Sequence, residues 1–181
     1  MNKEELIKLN QINLSALSEY IDDEDAKKYF LGNPGEEHYK LLAYFSTKYN
    51  NSVLYDIGTY KGCSALALSF NKNNTVKSYD IGNFRKLTEH KTNVEWVIGD
   101  FLNEDPKKIQ NSPFIMLDID HTGKTERAIL DFLVKINWHG ILMLDDIHLN
   151  QEMEHFWSTI KFSKKDITSF GHYSGTGLVL M

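Results

Sequence analysis

From residue 52 onward, short apolar runs rich in β-branched and aromatic residues alternate with longer amphipathic segments. The runs at 52–57, 75–81, 93–98, 113–117 and 140–144 read as strands, and two more follow at 166–171 and 177–181. Helix candidates lie between the first five, the clearest at 124–136, where Ile129, Leu130, Phe132, Leu133 and Ile136 share one face. This alternation predicts a mostly parallel sheet covered on both sides by helices. Only residues 173–176 separate the last two strand candidates. That Gly/Ser/Thr connection is too short for a crossover helix, so the chain is predicted to end in a hairpin. Ahead of the sheet, Leu6, Leu9, Ile12 and Leu17 predict one or two amphipathic helices. Asn33-Pro34-Gly35 breaks the chain, and a helix follows over 36–49 with Leu41, Leu42 and Phe45 on its apolar side.

A chain of 181 residues fits one domain: a helical N-terminal extension over 1–50 and an α/β core over 52–181. With 41% hydrophobic and 25% charged residues, the composition is that of a self-folding globular chain. The net charge of −5 offers no general attraction to phosphate backbones, and no local basic patch points to a nucleic-acid partner. One cysteine, Cys63, cannot form an internal disulfide and reads as a small packing residue. The N-terminus lacks the apolar core of a signal peptide, and no apolar run approaches the ~20 residues of a membrane span, so a cytoplasmic setting without membrane contact is expected.

Candidate chemistry gathers at strand ends. The first strand runs into Asp56-Ile57-Gly58-Thr59-Tyr60-Lys61-Gly62-Cys63-Ser64, a glycine loop leading into an Ala/Leu-rich segment. In open parallel sheets the carboxyl ends of the strands form the ligand crevice, and glycines there admit close backbone approach. The carboxylate before the first glycine would repel a pyrophosphate but suits a cationic amino-acid end. Asp80 closes the second strand, where an acid suits two ribose hydroxyls. Asp100, after the third, suits an adenine amine, with Phe101 against the ring. Each feature alone also reads as an ordinary turn or helix cap.

Together, these motifs resemble the class I S-adenosylmethionine-dependent methyltransferases over about residues 52–181. The resemblance implies a Rossmann-like seven-stranded sheet of order 3-2-1-4-5-7-6 with an antiparallel seventh strand. It implies that Asp56, Gly58 and Gly62, with Thr59 and Ser64 of the same loop, hold the methionine end of the cofactor. Asp80 would hold the ribose, and Asp100 and Phe101 the adenine.

The fourth strand candidate ends Asp118-Ile119-Asp120-His121 and the fifth Asp145-Asp146-Ile147-His148. Adjacent strands would bring these acids together, and clustered carboxylates repel unless a cation compensates them. Oxygen ligands favour Mg²⁺, Mn²⁺ or Ca²⁺. The pattern resembles the divalent-metal O-methyltransferases of the catechol and macrocin sugar types, which implies Asp118, Asp145 and Asp146 as metal ligands, with Asp118 also bordering the cofactor. His121, His148 and Asp120 are candidate general bases, each equally readable as turn support. His38, His90, His139 and His155 read as surface or packing residues, and His172 would reach the site only if the last hairpin folds over it. Candidate acceptor lining is 33–39 with Phe156 and Trp157.

The expected function is methylation of a hydroxyl on a sugar, glycan or other small molecule. The alternatives are a metal-independent enzyme acting on nitrogen or protein, and a non-catalytic cofactor-binding module completed by a second copy or partner domain.

Overall fold

The computed structural model describes residues 3–33, 35–87 and 93–181. Pro34 and His90 lie outside the described residues. The chain opens with helices α1 (Lys3–Asn10), α2 (Ser15–Ser18), α3 (Glu24–Leu31) and α4 (Glu36–Ser46). There follow β1 (Val53–Ile57), α5 (Cys63–Leu68), β2 (Thr75–Asp80), β3 (Val94–Ile98), α6 (Pro106–Gln110), β4 (Phe114–Leu117), α7 (Lys124–Lys135), β5 (Ile141–Asp145), α8 (Gln151–Thr159), β6 (Ser163–Asp166) and β7 (Thr176–Leu180). The strands form one sheet of order β3-β2-β1-β4-β5-β7-β6, in which β7 runs antiparallel to both neighbours. The expected topology is therefore the observed one.

Strand burial explains which runs were visible in the sequence. β1, β4 and β5 lie at the centre and are buried almost throughout, so they read as continuous apolar runs. Alternate residues serve opposite faces: Leu54 and Met116 join one core with the N-terminal helices and α5, whereas Tyr55 and Ile115 join a second beneath α7 and α8. Each fully buried Leu or Met contributes about 1.5–3 kcal/mol relative to exposure. The N-terminal helices are integral to the first core, to which they give Leu9, Leu17, Phe30, Leu41 and Phe45.

Two expectations at the C-terminal end are corrected. The sixth strand is Ser163-Lys164-Lys165-Asp166 and not 166–171. It is the exposed sheet edge, so its polar residues carry no apolar signal, and charged edges of this kind resist unwanted pairing. Residues 168–170 instead form a single 3₁₀ turn. The connection between β6 and β7 consequently spans 167–175 and is no tight hairpin turn. That longer loop reaches the functional end of the sheet.

Candidate active site

A cleft of about 860 Å³ opens across the carboxyl ends of β1, β2, β3, β4 and β5. At its first end, the loop after β1 turns on Gly58, whose φ of +103° favours glycine. A Cβ there would sit 1.5 Å from the Asp118 carbonyl oxygen, so the loop packs directly on the end of β4. The Gly58 and Thr59 amides donate to the Tyr79 carbonyl at 2.9 and 3.1 Å. Gly62, with φ of +93°, then turns the chain into α5.

Asp56 is fully buried behind this loop and does not line the cleft. The Ser78 hydroxyl donates to its Oδ2 at 2.6 Å, while Oδ1 has no partner. Burial pushes its carboxyl up to about 7, against the hydrogen bonds from Ser78 and Ser64. Asp56 thus anchors the loop from behind, through Ser78 and the Ser78–Thr59 hydroxyl contact of 2.6 Å.

Gly58, Thr59, Ser64, Asp80, Asp100 and Phe101 all line the cleft. Asp80 accepts the Tyr60 amide at 2.8 Å and the Gly82 amide at 3.2 Å, tying the loops after β1 and β2 together. Asp100 accepts the Leu102 amide at 2.9 Å and so caps the following 3₁₀ turn. The Phe101 ring is only 2% exposed, packed edge-on against Tyr55 and Tyr79 with centroids 5.5 Å apart in each case. The free apolar surface at this end belongs instead to Ile81, 84% exposed, and Phe84, 51% exposed. Both follow a strand-end acid, yet neither stands out in sequence because isolated apolar residues are common anywhere.

At the other end, β4 and β5 deliver Asp118, Asp145 and Asp146 to one place, with histidines from three other segments among them. His121 Nε2 lies 2.9 Å from both Asp118 Oδ1 and Asp146 Oδ2. His172 Nδ1, from the β6–β7 loop, lies 3.3 Å from both Asp145 Oδ2 and Asp146 Oδ1. Ser174 donates to Asp146 Oδ1 and stands 2.9 Å from His172 Nδ1. His38, from α4, is buried with its Nδ1 3.7 Å from Asp145 Oδ1, and neither atom has a hydrogen-bond partner.

The electrostatics follow from these distances. Hydrogen bonds to Asp118 and Asp146 raise His121 to about 10. Burial pulls His172 down, but its bonds to Asp145 and Asp146 prevail and raise it to about 10. Burial works to raise Asp146 too; hydrogen bonds from His121, His172 and Ser174 outweigh it and hold that carboxyl well below the usual range. Asp118 is shifted upward, by burial first and also by the Asp145 charge, with the His121 bond opposing. Backbone strain marks the same place: His121 and Asp146 are non-glycine residues with φ of +56° and +57°. Such conformations cost on the order of 1–3 kcal/mol and persist where surroundings enforce them. For His121 the enforcement is visible, since its amide donates to Glu126 Oε1 at 2.9 Å and its carbonyl accepts from Asn150 at 3.0 Å.

Several sequence-predicted residues stand elsewhere. His148 is outside the cleft: the chain reverses at Asp146, Ile147 is buried, and the His148 ring pairs with Asp166 on the sheet edge at 2.7 Å. Asp120 lines the cleft but spends both oxygens on Thr122 and Thr125, whose hydrogen bonds, against burial, lower its carboxyl. Phe156 and Trp157 do not line the cleft, because Phe156 is buried and Trp157 packs on that same core. His38 is buried on the packed face of α4, as a packing reading allows, and it also lines the cleft; its signal was present, since 38, 41, 42 and 45 form one helical stripe and a histidine interrupts an apolar face. His139 and His155 are exposed, as expected. Burial pushes the Cys63 thiol up to about 12, which makes it unreactive.

Neither a protein-family profile nor a curated protein sequence matches the chain. Solved structures do. A Staphylococcus aureus protein described as a putative caffeoyl-CoA O-methyltransferase superposes with a TM-score of 0.64 at 13% identity, covering 99% of this chain and 98% of its own. The Podospora anserina methyltransferase PaMTH1, bound to SAH, gives 0.62 at 12% identity over 100% of this chain and 89% of its own. The O-methyltransferase TomG from Streptomyces achromogenes, in complex with SAM, gives 0.60 at 12% identity over 99% and 96%. With the sheet order and the antiparallel β7, these superpositions establish that the chain has the Rossmann-like fold of the S-adenosylmethionine-dependent methyltransferases.

Proposed function

We propose that the protein is an S-adenosylmethionine-dependent O-methyltransferase assisted by a divalent ion, acting on a hydroxyl of a sugar or other small molecule. The observation that carries this reading is the division of one cleft: a glycine loop, Asp80 and Asp100 at one end, and three carboxylates with three histidines at the other. The residues fit the cofactor, because exposed Ile81 and Phe84 offer an apolar face to adenine beside Asp100, and Asp80 offers a carboxylate to the ribose. They fit an ion, because buried Asp145 Oδ1 lacks a partner and Asp118, Asp145 and Asp146 supply oxygen donors.

When bound, the cofactor supplies an electrophilic methyl group, and the ion lowers the cost of ionising an acceptor hydroxyl. The chain's own task is to orient the acceptor and take its proton. His121 and His172 are each engaged by two carboxylates, whereas His38 Nδ1 has no hydrogen-bond partner and faces Asp145 at 3.7 Å, so the proton-accepting role falls to His38. Tyr29, Tyr39 and Tyr173 line the cleft and offer ring faces to an acceptor.

Calorimetry with S-adenosylhomocysteine tests the cofactor, and no heat of binding would sink the reading. Transfer from labelled cofactor to glycans and small hydroxyl compounds, before and after chelation, tests the rest. Activity should vanish in chelator and return with Mn²⁺ or Mg²⁺. Undiminished activity in chelator would remove the ion, and methyl transfer to nitrogen alone would remove the acceptor class.

A further inference from the structure

The donors at the acidic end do not form one shell. They fall into two triads, Asp118/His121/Asp146 and Asp145/Asp146/His172, each with its ligand atoms within 4.8 Å of one another. Asp146 belongs to both and divides its oxygens between them, Oδ2 towards His121 at 2.9 Å and Oδ1 towards His172 at 3.3 Å. From this geometry we propose that the cleft holds a pair of transition-metal ions, one at each triad, bridged by the Asp146 carboxylate. The proposal rests on the reading of this cluster as a metal centre and goes further in ion number, ligands and metal class.

Three observations carry it. Each triad contains an imidazole nitrogen, a donor that suits Mn²⁺, Co²⁺ or Zn²⁺ and is a poor partner for Mg²⁺. Asp145, a member of the second triad, is 4% exposed; its Oδ2 faces His172 at 3.3 Å, while its Oδ1, 3.7 Å from His38 Nδ1, has no hydrogen-bond partner, so a buried carboxylate of that triad keeps an unsatisfied acceptor. The ligands are also held by neighbours that fix their orientation: Glu126 and Asn150 on the His121 backbone, and Ser174 on Asp146. Charge agrees as well: each histidine would give up its proton to bind an ion, so filling both triads exchanges two imidazolium charges for two divalent ions and turns the three-carboxylate site from net negative to net positive.

The test uses the intact chain, stripped of metal and titrated with Mn²⁺ or Co²⁺ without cofactor or acceptor. Calorimetry and metal analysis should count two ions per chain, and the Mn²⁺ electron paramagnetic resonance spectrum should show coupling between neighbouring ions. His172→Ala and His121→Ala should each reduce the count to one while retaining the melting transition, with His172→Gln as a second variant should the alanine chain not fold. Mg²⁺ should bind at least about tenfold more weakly than Mn²⁺. One ion per intact chain, an uncoupled spectrum at saturation, or equal Mg²⁺ affinity would overturn the proposal. Binding of S-adenosylhomocysteine, measured separately, reports on the methyltransferase reading and not on the ion count, so the two fail independently.

Discussion

Replacing Gly58 by alanine perturbs both ends of the cleft through one atom. The new Cβ would lie 1.5 Å from the Asp118 carbonyl oxygen and 2.7 Å from its carbon, on a backbone with φ of +103°. The conformational penalty for a side chain at such a φ is about 1–3 kcal/mol. Backbone cannot rotate out of the way as a side chain does, so relieving the contact adds about 1–3 kcal/mol of overpacking. The total of about 2–6 kcal/mol corresponds to a fall in melting temperature of roughly 4–24 °C for a domain of this size. Gly62→Ala meets side chains, Leu87 at 2.5 Å and the Trp96 ring at 3.3 Å, so about 1–2 kcal/mol, mostly strain, is expected. Gly99→Ala meets nothing within 4 Å and has no positive φ, so its melting point should stay within about 2 °C of the parent. Thermal unfolding of the three variants, with S-adenosylhomocysteine titrations of those that fold, provides the assay. A Gly58→Ala protein that melts with the parent and binds the ligand equally well would refute the contact between the β1 loop and β4.

Asp80→Ala should weaken S-adenosylhomocysteine about 10–100-fold in calorimetry, since a charge-assisted hydrogen bond is worth about 1.5–3 kcal/mol. His38→Ala should lower kcat by about 10²–10⁴ with cofactor affinity unchanged, as loss of a general base does; unchanged kcat would remove His38 from that role. His148→Ala should leave turnover within about twofold, because its exposed pair with Asp166 is worth at most about 1 kcal/mol. Glu104, 7% exposed in its side chain, is held at about 2 by Lys77 and Tyr79 in spite of burial, below its ordinary 4.5. Its contribution is complete above about pH 4.5 and fades as pH falls towards about 2. The unfolding free energy from urea titrations should therefore drop by about 3 kcal/mol over that window, and Glu104→Gln should flatten this part of the profile.

The residues legible in sequence were those whose role is set by a strand end. Gly58, Asp80, Asp100, Asp118, Asp145 and Asp146 each follow or close an apolar run, and the parallel sheet brings such ends to one side. What the sequence hid depends on long-range packing. β6 is polar because it is an edge, so its position slipped by a few residues and the loop behind it was read as a short turn. That slip concealed how far His172 and Ser174 reach. His38 needed the docking of α4 against β5, which no local pattern encodes, although its place on an apolar stripe was a usable clue. His148 misled because a place two residues after the proposed ligand Asp146 is close in sequence but, past the reversal there, opposite in direction.

The two ends of the cleft differ in how much of the chain each must await. The glycine-loop end draws on residues 56 to 101, a nearly continuous stretch, whereas the acidic end needs residues 38, 118–121, 145–146 and 172–174. During synthesis the first end can assemble once β4 has emerged to support it, but the second stays open until the final loop has threaded back. A chain cut after α8 would therefore lose His172 and Ser174 while keeping the glycine loop, Asp80 and Asp100. The order in which the polypeptide leaves the ribosome thus separates in time the assembly of the glycine-loop end from that of the acidic end.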